Sequence, residues 1–239
     1  MKSLVIIPTY NEAMNIEKII KEVLKQPFDI NVLVVDDNSP DGTSEVVKSL
    51  SEFEKKVFLL KREKKEGLGR AYVAGFKWAV ERNCYDVVFE MDADFSHDPD
   101  EIYLFFDALN EGYDVVCGSR YINGLRVLNW DLKRLFLSLG GNIYARIVTG
   151  VPLTDLTGGY NCYRIDVLKK INPERISSNG YSFQIEMKAK SYYYGFKIKE
   201  VPITFRDRYE GTTKMSGGII NEAFFKCWKI RFEKYFKKD

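Results

Sequence analysis

Short apolar runs alternate with segments of helical periodicity along the first half of the chain. Five runs have the length of a buried strand: 4–7, 32–35, 57–60, 87–91 and 115–117. Between the first two runs, apolar residues recur at the spacing of a core-facing helix, at Ile16, Ile19, Ile20, Val23 and Leu24. Repeated strand–helix units predict an α/β fold, with a mostly parallel sheet flanked by helices.

Four of these predicted strands end in clusters of polar residues. The clusters occupy residues 9–12, 36–41, 92–98 and 118–120. A single cluster of this kind would most simply cap a helix. In a parallel sheet, however, the carboxyl ends of the strands meet at one edge, and ligands bind there. Four such clusters therefore predict a binding site.

The strongest chemical signal is Asp92-Ala93-Asp94, which follows the fourth apolar run. On an extended backbone the two carboxylates point the same way, so we expect them to face one ligand. Carboxylate oxygens suit Mg²⁺ or Mn²⁺, and such a cation holds a diphosphate and offsets its charge. Asp37 is suited to accept from a base N–H, and Tyr10 offers a ring face for stacking. Together they predict nucleotide-sugar chemistry.

The glycine pattern of the chain limits the classes of nucleotide-binding site that it can contain. Gly67-Leu68-Gly69 opens a predicted helix, and it fits either a phosphate cradle or a flexible helix start. The third glycine of a dinucleotide fingerprint is missing, and the chain has no Walker sequence. A nucleotidyltransferase would normally carry a glycine- and lysine-rich loop after the first strand, where this chain has Tyr10-Asn11-Glu12.

The composition is that of a globular protein. Hydrophobic residues make up 45% and charged residues 29%, and the net charge of +2 gives no reason to expect a nucleic-acid partner. The four cysteines have no zinc-ligand spacing, so we expect reduced packing residues in a cytoplasmic protein. The first apolar run is too short for a signal peptide, and no stretch approaches the roughly 18 apolar residues of a membrane span.

Taken together, these motifs resemble the family 2 glycosyltransferases of the Rossmann-like GT-A fold. The resemblance begins at residues 7–12, continues through 35–43 and includes Asp92-Ala93-Asp94. Further segments are similar to the polyprenyl (dolichyl) phosphate mannose synthases and extend the match over nearly the whole chain: 94–97, 118–121, 155–160, 201–208 and 211–215.

The resemblance implies a role for individual residues. The nucleotide sugar would be held by Pro8, Tyr10, Glu12, Val35, Asp37, Asp92 and Ala93. Asp94 would bind Mg²⁺ or Mn²⁺, with Ser96, which stands where some relatives have glutamine, as a second or water-mediated ligand. The catalytic set would be Asp94 with three cations that contact the donor or acceptor phosphates, Arg120, Arg208 and Lys214.

The expected acceptor explains the lack of an obvious general base. His97 lies in a turn before a predicted helix cap, which favours a structural or positioning role. A phosphate monoester has a second pKa near ~6 and is mostly dianionic at neutral pH, so it can attack without a base. Cations must then bring two anions together, which suits Arg208 and Lys214. For Arg206, the sequence is equally consistent with binding a phosphate and with lying exposed at the edge of a strand.

Apolar helix faces give a further prediction. Aromatic and aliphatic residues recur every four positions near the C-terminus, at Ile220, Phe224, Trp228, Phe232 and Phe236. We therefore expect a catalytic domain over 1–214 and an amphipathic helix over 215–239, which either lies in a membrane interface or packs on the domain. A second apolar face spans Leu132, Leu135, Phe136, Leu139 and Ile143, and the resemblance places it near the membrane beside the acceptor.

The expected function is a metal-dependent, inverting transfer of mannose from GDP-mannose to a polyprenyl phosphate. The same transfer from UDP-glucose or another nucleotide sugar is the alternative. A non-catalytic nucleotide-sugar-binding protein of the same fold would be expected to lose part of this site. We expect the protein at the cytoplasmic face of a membrane, through peripheral contact or a membrane-anchoring subunit, without a nucleic-acid partner.

Overall fold

The computed structural model describes residues 1–206 and the helical backbone of 217–236, with side chains in that helix described for 224–233. A seven-stranded sheet lies at the centre, with the strand order β3-β2-β1-β4-β7-β5-β8. Its strands are β1 (Ser3–Thr9), β2 (Ile30–Asp36), β3 (Val57–Lys61), β4 (Val87–Glu90), β5 (Val115–Ser119), β7 (Asn161–Arg164) and β8 (Ile198–Pro202). A separate two-stranded sheet pairs β6 (Val127–Leu128) with β9 (Phe205–Arg206).

Helices cover both faces of the central sheet. They are α1 (Ile16–Lys25), α2 (Thr43–Lys48), α3 (Leu68–Arg82), α4 (Ile102–Asn110), α5 (Leu132–Thr149), α6 (Ile165–Ile171), α7 (Gly180–Tyr193) and α8 (Gly217–Phe236). Successive side chains of a strand point to opposite faces, so β1 contributes Leu4 and Ile6 to one core and Val5 and Ile7 to the other. The α/β fold with a mostly parallel sheet is confirmed.

One strand departs from the parallel pattern and reshapes the predicted edge. β7 lies between β4 and β5 and runs antiparallel to both, pairing Asn161 with Glu90 and with Cys117. The amino end of an antiparallel strand lies where the carboxyl ends of its parallel neighbours lie. The segment that precedes β7 therefore joins the edge at which the polar clusters meet.

The predicted helix start at 98–101 is also present. The Asp98 side chain accepts from the main-chain N–H of Asp100, and Pro99 is the first residue of a short 3₁₀ turn, Pro99–Glu101, that leads into α4. Proline tolerates this position because the first N–H groups of a helix have no partner within the helix.

Helices α5 and α8 pack against each other and leave apolar side chains at the surface. Cys227 and Ile230 of α8 are buried in the core, while Phe224 stacks on Tyr144 of α5 with ring centroids 4.6 Å apart. Phe224, Trp228 and Phe232 also keep about half of their surface exposed, so the described part of the predicted aromatic stripe packs only partly on the domain. Across the described residues, every helix falls short of the length and apolar character that crossing a membrane requires.

Candidate functional site

The carboxyl ends of β1 and β2 are tied together by Asp36. Its carboxylate accepts from Thr9 Oγ1 at 3.0 Å and from Ser44 Oγ at 2.7 Å, and also from the Ser39 main-chain N–H. Several hydrogen-bond donors thus satisfy the oxygens of this buried side chain. Asp36 therefore holds the two strand ends in register rather than facing a ligand.

This register brings the predicted nucleotide-binding residues of both strands together. Pro8 of β1 is paired directly with Val35 of β2. Val35 is fully buried and pairs with a strand on each side, so its predicted contact with the nucleotide stays a prediction. Glu12 follows at the start of α1, where its carboxylate accepts from Asn15 Nδ2 at 3.1 Å and its main-chain N–H donates to Thr43 Oγ1.

Asp37 forms an ion pair that the sequence analysis did not predict. Arg62 Nη1 lies 2.7 Å from Asp37 Oδ1, and both side chains are largely buried. Burial raises the pKa of Asp37, and the charge of Arg62 opposes that rise. Arg62 also contacts Glu66, whose main-chain N–H donates to Asp37 Oδ2 at 3.4 Å. The signal was available, since Arg62 directly follows β3 at the same edge.

Tyr10 lies beside this pair at the surface. Its ring is partly exposed, and Lys65 Nζ lies 3.7 Å from the ring centroid. A cation over an aromatic face is attracted to it, so Lys65 covers one side of Tyr10. Tyr10 thus offers a ring face, while the Asp37–Arg62 pair is largely buried, and the predicted contact of Asp37 with a base stays a prediction.

The acidic turn is built differently from the sequence expectation. β4 ends at Glu90, and a turn follows in which Phe95 has a φ of 60°. Alternation along an extended strand therefore does not place Asp92 and Asp94. Instead, the main-chain N–H of Ser96 donates to Asp94 Oδ1 at 3.0 Å, and that of Asp92 donates to His97 Nδ1 at 3.1 Å. Burial lowers the pKa of His97, in keeping with this accepting role.

The donor atoms of this turn fit a hard divalent cation. Asp92 and Asp94 supply carboxylate oxygens, Ala93 between them is buried, and the hydroxyl group of Ser96 is next in line. Among the described residues, no group of three or more histidine, cysteine or acidic side chains is arranged so that it could hold a metal ion. Mg²⁺ is commonly bound by one or two carboxylates, with substrate phosphates and water completing its shell. Ser96 as the second ligand stays a prediction.

The guanidinium group of Arg120 is paired with a carboxylate of the protein. Its Nε and Nη2 each donate at 2.6 Å to the two oxygens of Asp155, in the bidentate geometry typical of arginine. Burial raises the pKa of Asp155, but the charge of Arg120 and its hydrogen bonds outweigh this and lower it to about 2. Arg120 is therefore part of a buried ion pair in this structure, and its predicted phosphate contact stays a prediction.

Other buried polar groups hold the loop that carries Asp155. Glu200 of β8 accepts from the main-chain N–H groups of Thr154 and Asp155, each at 2.8 Å. Lys188 of α7 donates to the carbonyl oxygens of Asp155 and Gly158 at 2.8 and 2.9 Å. The segment before β7 is thus fixed at the edge of the sheet from two sides.

The Gly67-Leu68-Gly69 segment is a helix start and not a phosphate cradle. Asn179 Oδ1 accepts from the main-chain N–H of Gly69 at 2.9 Å, and Asn179 Nδ2 donates to the Glu66 carbonyl at 2.7 Å. A Cβ atom on Gly67 would lie 2.4 Å from Asn179 Nδ2. The side chain of Asn179 therefore takes the Gly69 N–H that a phosphate cradle would need.

The basic residues at the end of the site are only partly described. Arg206 of β9 is exposed, and its Nη2 lies 3.8 Å from Asp98 Oδ2. This contact fits a solvated strand edge. Arg208 and Lys214 lie outside the described residues, so their predicted roles are untested.

Comparisons with known proteins find sequence similarity along nearly the whole chain. The family model for glycosyl transferase family 2 matches residues 4–172. A polyprenol monophosphomannose synthase from Mycolicibacterium smegmatis is 46% identical over 96% of this chain and 88% of its own length. An undecaprenyl-phosphate mannosyltransferase from Micrococcus luteus is 44% identical over 93% of this chain and 91% of its own length.

Solved structures show the same fold at low sequence identity. Glucosyl-3-phosphoglycerate synthase from Mycobacterium tuberculosis, in complex with phosphoglyceric acid, has a TM-score of 0.72 at 15% identity over 97% of this chain and 80% of that one. The same enzyme, in complex with Mn²⁺, uridine diphosphate and glucosyl-3-phosphoglycerate, has a TM-score of 0.71 at 16% identity, with the same coverage. The predicted GT-A fold is therefore confirmed.

Proposed function

This chain belongs to glycosyl transferase family 2, and we propose that it transfers mannose from GDP-mannose to a polyprenyl phosphate in a metal-dependent, inverting reaction. The observation that carries the proposal is the 46% identity to a polyprenol monophosphomannose synthase over 96% of the chain. The predicted family resemblance is thereby confirmed. The nature of the donor and the need for a metal are our inference from the site.

The donor is expected to lie along the carboxyl edge of the sheet. Asp37 would accept from the N–H groups of the base, and Arg62 would donate to the adjacent carbonyl oxygen. Asp92 and Ala93 would lie along the ribose and diphosphate. Asp94, with Ser96 directly or through water, would hold Mg²⁺ or Mn²⁺, which when bound offsets the negative charge of the departing diphosphate.

The acceptor phosphate needs orientation more than activation. One of its oxygens attacks the anomeric carbon opposite the diphosphate, a new C–O bond forms, and the bond to the nucleotide diphosphate breaks with inversion. The phosphate is already anionic at neutral pH, so no side chain has to remove a proton. Arg208 and Lys214 are the cations proposed to bring the two anions together.

The site geometry fits either guanine or uracil as the base of the donor, so an experiment has to decide between them. Guanine and uracil both present an N–H beside a carbonyl oxygen, and both match the Asp37–Arg62 pair. UDP-glucose or another nucleotide sugar is therefore the alternative donor. We place guanine first because the two relatives at 44–46% identity are named for mannose transfer.

A thermal-shift experiment separates the two bases. The protein is heated with GDP or UDP, each with and without Mg²⁺ or Mn²⁺. A ligand at 100 times its Kd adds about 2.7 kcal/mol, which for a chain of this size raises Tm by roughly 5–11 °C. We expect a metal-dependent shift with GDP and none with UDP. The reverse result would overturn the donor assignment, and Asp94→Asn serves as the control that should lose the metal-dependent part.

We further propose that helices α5 and α8 rest on an anionic phospholipid surface, which would place the protein peripherally at the cytoplasmic face of a membrane. Large apolar side chains are exposed on both helices: Leu132, Phe136, Ile143, Ile147, Phe225 and Phe232. Exposed basic side chains lie among them, at Lys133, Arg146 and Lys229. Apolar groups that insert and cations that pair with anionic headgroups are the features of an interfacial surface.

Co-sedimentation with vesicles tests this surface. Phe136→Asp should weaken binding to vesicles of anionic phospholipid by on the order of tenfold or more, because burying a phenylalanine side chain contributes about 1.5–3 kcal/mol. Tyr103→Asp is the matched control, since Tyr103 is an exposed aromatic on α4, which packs against the opposite face of the sheet. Equal binding by both variants would contradict the proposal, and binding that occurs only when a partner protein is present would point to an anchoring subunit.

A further inference from the structure

His97 is the single histidine of the chain, and it is buried against the acidic turn. Its ring stacks on Tyr160 with centroids 4.9 Å apart, and Phe205 approaches it edge-on at 5.7 Å. A Cβ atom on Gly159 would lie 3.6 Å from His97 Cε1, so that side is also closed. Packing on three sides therefore fixes the orientation of the imidazole.

The hydrogen bonding of the ring indicates which nitrogen carries the proton. The main-chain N–H of Asp92 donates to Nδ1 across 3.1 Å. A nitrogen that accepts a hydrogen bond carries no proton, so in the neutral ring the proton is on Nε2. Nε2 lies 4.0 Å from Asp92 Oδ2, which is an electrostatic contact and too long for a hydrogen bond. The anchoring interaction is the bond to Nδ1.

We propose that His97 is a positioning residue, whose Nδ1 holds the main chain of Asp92 so that the Asp92-Ala93-Asp94 turn is set for the nucleotide diphosphate. The turn includes a residue with positive φ, and a buried N–H without an acceptor would favour a different backbone path. This role explains why a buried histidine sits beside a reaction that requires no general base. The inference rests on the proposed function for the nature of the ligand.

Two substitutions separate the nitrogens of the ring. His97→Asn puts a side-chain oxygen near the position of Nδ1 and can still accept from Asp92, whereas His97→Gln puts an amide nitrogen near Nε2 and leaves that N–H without its acceptor. Both remove the stacking on Tyr160, so each is the matched control of the other. The readouts are the Kd for GDP and for UDP with Mg²⁺, by calorimetry, and the urea midpoint.

We expect both variants to lose stability, His97→Gln more than His97→Asn because its Asp92 N–H is left without an acceptor, and we expect their affinities to differ. The Kd of His97→Asn should stay within about threefold of the wild type, and that of His97→Gln should rise about tenfold, as expected for a lost hydrogen bond. Equal Kd values in the two variants would overturn the inference. The wild-type choice between GDP and UDP reports on the proposed donor, while the ratio between the variants reports on His97.

A measurement on the wild-type protein covers the case in which a variant does not fold. Because the chain has one histidine, a ¹⁵N-labelled sample gives a single pair of imidazole nitrogen signals. We expect the signature of a proton on Nε2 and of an accepting, unprotonated Nδ1, with or without nucleotide. A proton on Nδ1 would overturn the inference whichever nucleotide binds.

Discussion

Replacing Asp155 tests whether the buried pair with Arg120 holds the site loop together. Both side chains are almost completely buried, and the two 2.6 Å hydrogen bonds between them are part of a set that also includes the main-chain N–H groups of Arg120 and Gly158. Asp155→Asn keeps the volume of the side chain and removes its charge. Arg120 then stays buried without its counter-charge.

The expected cost is large because one buried charge loses its partner. Lowering the pKa of Asp155 from 3.8 to about 2 corresponds to about 2 kcal/mol of stabilisation. Breaking a buried pair by removing one partner typically costs about 3–5 kcal/mol, since the remaining charge has lost its water as well. For a chain of this length, that lowers Tm by roughly 6–20 °C.

The assay is urea unfolding followed by tryptophan fluorescence, repeated at several pH values. Because the folded-state pKa of Asp155 is depressed, its contribution is present above pH 3.8 and is lost as the pH falls towards about 2. Asp155→Asn should therefore differ from the wild type most at neutral pH. Glu174→Gln, which removes an exposed pair with Lys77, is the control and should leave the midpoint unchanged. A change below about 1 kcal/mol for Asp155→Asn would show that Arg120 does not depend on Asp155 for its counter-charge, because breaking a buried pair typically costs about 3–5 kcal/mol.

Three further predictions concern the rest of the site and its support. Burial raises the pKa of Glu90 to about 8. The free energy of unfolding should therefore fall by about 1.4 kcal/mol per pH unit between pH 4.5 and about 8. In urea unfolding, Glu90→Gln should abolish this dependence on pH. Arg62→Ala should raise the Kd for nucleotide about tenfold by calorimetry, while exposed Lys64→Ala should not; equal values would argue against base recognition by this pair. Gly75→Ala should lower the free energy of unfolding by about 1–3 kcal/mol, because its Cβ would lie 2.8 Å from a β1 side chain. Gly140→Ala has open space around its Cβ and should raise the free energy of unfolding by up to about 1 kcal/mol. A higher urea midpoint for Gly75→Ala than for Gly140→Ala would contradict this packing.

Features set by neighbouring residues could be predicted from the sequence. The apolar runs located the first five strands, and the turn-forming residues after them located the edge of the site, because parallel strands place their carboxyl ends together. Asp98 and Pro99 marked a helix start for the same local reason. The acidic turn was found as a motif, although its backbone is a tight turn and not an extended strand.

Contacts between distant segments could not be predicted in this way. Asn179 fills the amino end of α3 from a position 110 residues away, which turned a possible phosphate cradle into a capped helix. The pairing of Arg120 with Asp155 depends in the same way on the segment that precedes the antiparallel β7. Hydrophobic periodicity carries no information on which charged side chains will meet across the fold.

The transfer reaction itself tests the proposed function most directly. The full chain is incubated with undecaprenyl phosphate, MgCl₂ and either GDP-mannose or UDP-glucose, and the lipid products are identified by mass spectrometry. We expect a lipid phosphate carrying one mannose from GDP-mannose, and we expect this product to be lost when the metal is chelated and in Asp94→Asn. Transfer from UDP-glucose alone, or transfer that persists after chelation, would contradict the proposed function.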